Sequence, residues 1–114
     1  MKRIVLASLL LLLTTALFAA DKAVTIKGEV VDTLCYASMG AGGEGHAKCG
    51  IACIKAGMPA GLVDSSKKMY ILLPPKDEQP LPAGIMAKAG KVVSVTGHVY
   101  TSGGVSFITV ESFQ

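Results

Sequence analysis

Four residues have the types and spacing to do chemistry: Cys35, His46, Cys49 and Cys53. They fall in one stretch, residues 35–59, which holds all three cysteines of the chain and one of its two histidines. Thiolate sulfur and imidazole nitrogen are the donors of tetrahedral zinc sites, and soft thiolates also select copper(I). The predicted set is a Cys₃His centre with Cys35 leaving a strand and His46, Cys49 and Cys53 on one helix face. At about 100° per residue those last three lie within roughly 60° of one another. The spacing H-x2-C-x3-C differs from the C-x2-C of zinc ribbons, so the motif points to metal without naming it. Met39 and Met58 lie in the same stretch and incline the choice toward copper(I), although methionine more often fills gaps.

Two other readings of the thiols stand beside the metal. An odd cysteine count leaves one thiol over if a disulfide forms. Cys49 and Cys53, one helical turn apart, are poorly oriented to bond each other, so Cys35 would pair with one of them. Such a staple would clamp the glycine-rich loop and contribute roughly 2–4 kcal/mol, leaving the β surface to hold a partner protein. A thiol-redox role is the third reading, weakened by the absence of C-x-x-C. The absence of C-x-x-C-H excludes covalent haem. Gly40 to Gly45 lacks the Lys-Ser/Thr of a phosphate loop, and no paired carboxylates or nucleophile elbow is present. Nothing in the sequence supports catalysis. His98 falls on the strand face with Ser94, Thr96 and Tyr100, which reads as outward.

The 114-residue chain divides into a leader and one domain. Residues 1–20 open with Lys2 and Arg3, continue through an apolar run and end in Ala19-Ala20, the pattern of an export signal. The site of cleavage is imperfect, since Phe18 or Leu17 stands three residues upstream of the cut. An uncleaved anchor over residues 4–20 is the alternative, slightly short of the about 20 residues a spanning helix needs. Without Lys2 and Arg3, nine basic residues face eight acidic ones, a net charge of +1. That near-neutral balance argues against nucleic acid as the partner. The expected location is periplasmic or secreted, with a metal ion and a periplasmic or membrane-bound protein as the candidate partners.

The elements that must position the four residues are mainly strands. Residues 24–34 alternate, with Val24, Ile26, Val30 and Leu34 on the inward face and Gly28 marking a bulge or tight bend. Cys35 is then expected at the strand exit. Four glycines between Met39 and Gly45 rule out regular structure there. His46 to Ala56 reads as a short helix stopped by Gly57 and Pro59, and Gly50 on the site's face would admit another backbone. Residues 61–63 and 69–73 flank a turn, residues 76–82 form a connector, and Gly84 to Gly90 holds one helical turn. Residues 91–100 alternate again with Val93, Val95 and Val99 inward, then turn at Gly103-Gly104 into a last strand, 105–113. The prediction is a mainly β domain over residues 21–114: a small five-stranded OB-like barrel, or a rolled sheet, with a short helix in a Cys/His-rich insert after the first strand.

The segments GEVVDTLCY, GHAKCGIACIKAGMPAGLV, YILL and VVSVTGHVYTSGGVSFITVES, read together, resemble small exported bacterial proteins in which an OB-like frame carries a cysteine–histidine insert. The resemblance spans Gly28 to Ser112, and its distinctive part is the insert. It implies the fold and the exported location, with Cys35, His46, Cys49 and Cys53 at the insert positions, and implies no reaction.

Overall fold

A computed structural model describes residues 22–114; the expected export leader, residues 1–20, lies outside the described residues. In chain order the elements are β1 (Val24–Asp32), α1 (Thr33–Met39), α2 (Ala47–Lys55), β2 (Ala60–Asp64), β3 (Met69–Leu73), β4 (Val92–Gly97), β5 (Val99–Ser102), β6 (Val105–Thr109) and β7 (Ser112–Phe113). Short 3₁₀ turns cover Glu44–His46 and Met86–Lys88, the second being the helical turn expected between Gly84 and Gly90.

The strands form one mixed sheet in the order β5-β6-β3-β2-β1-β4-β7. β1 is long enough to serve two neighbours. Val24 to Glu29 pair antiparallel with β4, and Gly28 to Asp32 pair antiparallel with β2. The register runs through Gly28 without a slip, so of the bulge or tight bend expected there the bulge does not form. Gly28 is required for a different reason: a β-carbon on it would lie 2.6 Å from the Val63 carbonyl oxygen. β2 and β3 make a hairpin whose turn is tied by Asp64, which accepts hydrogen bonds from Ser66 and Lys68. β3 and β6 are parallel, and β5–β6 is a hairpin turned by Gly103 and Gly104, both at positive φ.

Among the described residues seven strands form where the sequence predicts five, because two of the expected strands each break once. The ribbon 91–100 breaks at His98, and the ribbon 105–113 breaks at Val110 and Glu111. Both breaks have one cause. The Thr109 carbonyl passes so close over Gly97 that a β-carbon there would overlap it, at 1.6 Å. Around this crossing the Thr109 amide donates to the His98 carbonyl and the Glu111 amide to the Thr96 carbonyl. Strand pairing leaves β5 and β7 as the two edges, so the hydrogen-bonded sheet is not a closed barrel.

The core gathers Val30, Leu62, Leu72, Val93, Val95 and Ile108 from the sheet, Val110 from the break between β6 and β7, Ile54 from α2, and Ile85 and Ala89 from the connector. Fully burying each large aliphatic side chain contributes about 1.5–3 kcal/mol. Three residues expected inward are instead substantially exposed: Val24 (42%), Leu34 (55%) and Val99 (39%). Leu34 lies beyond the end of β1, where the chain has already turned into α1 and strand parity no longer applies. Val99 follows the break at His98, which resets the alternation. Val24 is the first residue of β1, where only β4 lies alongside.

Candidate metal centre

The site is built on the end of β1. Asp32 closes the strand, and its Oδ1 accepts the Cys35 amide at 2.8 Å, capping α1. The strand therefore stops at Asp32, and Cys35 stands in the first turn of α1 rather than at a strand exit. Asp32 is fully buried and Cys35 nearly so, at 9% exposure. α1 ends at Gly40 in the left-handed conformation, whose amide donates to the Tyr36 carbonyl at 2.8 Å. The glycine loop that follows is pinned by Glu29, whose Oε1 accepts the Gly43 amide at 2.6 Å.

That pinned loop returns the chain so that α2 packs across the end of β1. Gly50 makes the close approach possible, as its position on the site's face suggested. A β-carbon on it would stand 3.2 Å from the Ala89 β-carbon, 3.6 Å from Asp32 Oδ2 and 3.7 Å from His46 Cδ2. α2 begins at Ala47, so His46 precedes it, and its Nε2 lies 3.0 Å from Asp32 Oδ2.

Two groups of donors result, and Cys35 belongs to both. The sulfurs of Cys35, Cys49 and Cys53 lie within 4.8 Å of one another, as do the donor atoms of Asp32, Cys35 and His46. Two sulfurs bound to one ion at about 2.3 Å each can be no more than about 4.6 Å apart. The thiol triangle therefore needs little or no contraction to hold a metal ion, and the Asp32–Cys35–His46 group is of similar size. The donors fit a metal. Among the predicted ligands, the three cysteines come together, and His46 groups with Cys35 and Asp32. Asp32 is the residue that sequence reasoning missed. Its available signal was an acidic residue closing an apolar strand three positions before Cys35, the spacing of a helix cap.

Cys35, Cys49 and Cys53 are all free thiols here, grading from buried through half-buried Cys53 to exposed Cys49. The Cys35 thiol is pushed up to about 12, first by its hydrogen bond to the Asp32 carboxylate, then by burial and by the Asp32 charge. Burial likewise raises Cys53, aided by the hydrogen bond and charge of Cys49 and by Asp32, while a bond from Cys35 opposes the rise. Burial alone would raise Asp32. The Cys35 amide outweighs it, together with the side chains of His46 and Cys35, and holds the carboxyl below its ordinary value. Thiols raised in this way are poor nucleophiles until a cation replaces their protons.

The other predicted positions lie apart from these groups. Met39 is 70% exposed at the end of α1. His98 Nδ1 pairs with Glu111 Oε1, both side chains partly exposed. A cleft of about 480 Å³ opens beyond Glu29 and is lined by Lys27, Tyr36, Asp64 and Lys67, with none of the thiols on its wall. The chain matches no known protein family, no curated protein and no solved structure.

Proposed function

We propose that this protein is an exported, non-catalytic metal-binding domain whose Cys35, Cys49 and Cys53 thiolates hold one soft ion, copper(I) or zinc. The observation that carries the reading is the convergence of three sulfurs, from two helices, within 4.8 Å of one another. A three-thiolate set favours copper(I), since structural zinc almost always takes four ligands. The metal's contribution is electrostatic: it neutralises the thiolates of Cys35 and Cys53, whose surroundings otherwise favour the protonated thiol. α1 and α2 orient the sulfurs, Glu29 holds the loop between them, and exposed Cys49 gives the ion a point of entry. Export rests on the leader pattern of residues 1–20 and on the resemblance to small exported proteins. For the frame, we read an OB-type roll, supported by β4 and β5, which stand far apart in the pairing order yet are joined through His98 alone.

The test is metal analysis of protein isolated from the exported compartment, compared with a Cys49→Ser/Cys53→Ser double variant. About one copper or zinc per chain, lost in the variant, is the expected result. Metal retained in full by the variant would sink the thiolate site. A metal-free protein with one titratable thiol under denaturing conditions would replace it with the disulfide-stapled interaction module.

A further inference from the structure

We propose that Asp32, Cys35 and His46 form a second metal site for a zinc-type divalent ion, adjoining the thiolate site and sharing Cys35 as a bridging thiolate. The inference rests on the three-thiolate reading and extends it.

Three observations lead to it. First, Cys35 Sγ lies within 4.8 Å of the donors of both groups, so one thiolate can touch two ions. Second, the two groups differ in chemical character. Three sulfurs suit a soft monovalent ion, whereas a carboxylate oxygen, an imidazole nitrogen and one sulfur suit zinc. Third, the charge is unbalanced with one ion alone. Once the three thiols are ionised, they and Asp32 carry four negative charges in one partly buried cluster. A single copper(I) cancels only one of these. Among the described residues no lysine or arginine forms an ion pair with Asp32, whose side-chain partner is His46 Nε2 at 3.0 Å. Buried charge left uncompensated is costly, and a divalent ion beside Asp32 supplies the missing positive charge. Copper(I) binding has already displaced the Cys35 thiol proton, so the second ion replaces only the hydrogen between His46 Nε2 and Asp32 Oδ2. That hydrogen moves to His46 Nδ1 when the imidazole is neutral and to solvent when it is an imidazolium.

The experiment uses the full-length protein, reduced and metal-free, loaded with one equivalent of copper(I) and then dialysed against zinc. Native mass spectrometry and elemental analysis are read on wild type, His46→Gln, Asp32→Asn and Cys49→Ser/Cys53→Ser. Wild type is expected to carry one copper and one zinc together. Both His46→Gln and Asp32→Asn should keep the copper and lose zinc affinity by more than the roughly 10–100-fold that removing an outer hydrogen-bonding partner costs. Asp32→Asn retains a helix-capping side chain, and a circular dichroism spectrum like wild type verifies that it folds. Three results overturn the second site: wild type that takes copper alone, zinc that enters only by displacing copper, or zinc unaffected in both variants. Failure of the thiolate site looks different, because copper is then absent from wild type while zinc at Asp32 and His46 is read separately.

Discussion

His46 Nε2 lies 3.0 Å from Asp32 Oδ2, fourteen residues away in sequence, with the carboxylate sealed from solvent and the imidazole 19% exposed above it. This contact ties the end of β1 to the start of α2 across the glycine loop. The other Asp32 oxygen caps α1. One side chain thus fixes both helices that carry the thiols, and its removal should be felt by both.

Asp32→Ala should cost about 2–3 kcal/mol in urea unfolding, because it removes a helix cap and strands buried donors; Asp32→Asn should cost less. The acid limb separates charge from shape. The folded Asp32 carboxyl lies below 3.8, so its contribution is full above that pH and fades as pH falls through the folded value. Asp64 is also lowered, chiefly by its bond from the Ser66 side chain. The difference between wild type and Asp32→Asn therefore reports Asp32. Identical acid limbs in the two proteins would remove the buried, ionised carboxylate from the account.

Thiol reactivity should follow burial. In the reduced, metal-free protein, iodoacetamide should modify exposed Cys49 first and Cys35 last, as read by peptide mass mapping. Cys35, raised from 9.0 to about 12, adds a stability contribution that is full below pH 9.0 and is lost as pH rises toward 12. Cys35→Ser should flatten that alkaline limb. Equal labelling of Cys35 and Cys49 would contradict the burial of Cys35 against Asp32.

Two glycines should respond oppositely to alanine. Gly97→Ala places a β-carbon inside the Thr109 carbonyl, at 1.6 Å, and should lose more than about 3 kcal/mol or fail to fold. Gly45→Ala meets nothing within 4 Å and should be neutral or stabilising by up to about 1 kcal/mol. Thermal melts of the pair decide whether the chain crosses itself at Gly97. Matching melts would mean it does not.

Glu29→Gln should loosen the glycine loop without disturbing the sheet. Losing a charged acceptor for the Gly43 amide should speed hydrogen exchange there by roughly tenfold. Exchange at Val30 and Leu62, in the core of β1 and β2, should be unchanged. Unaltered protection at Gly43 would show that Glu29 does not pin the loop.

The sequence by itself determined the elements and the donor types. Alternation in 24–34 and 91–100 and the apolar run 69–73 mark strands, the alanine-rich run before Gly57 marks α2, and Gly103-Gly104 marks a turn, because these signals are local. The clustering of Cys35, Cys49 and Cys53 was legible for a related reason: two of the three lie one helical turn apart. Tertiary structure decided the rest. Whether Cys35 ends a strand or begins a helix depends on the Asp32 side chain folding back onto an amide. Parity cannot show that, and it placed Leu34 in the core. Whether His46 joins the other two thiols or Asp32 depends on how closely α2 packs over Gly50. The break at His98 comes from a carbonyl twelve residues beyond Gly97, at Thr109. Periodicity reports which way a side chain faces along its own element; which distant group it meets is set by packing between elements, and the second donor group at Asp32, Cys35 and His46 exists only there.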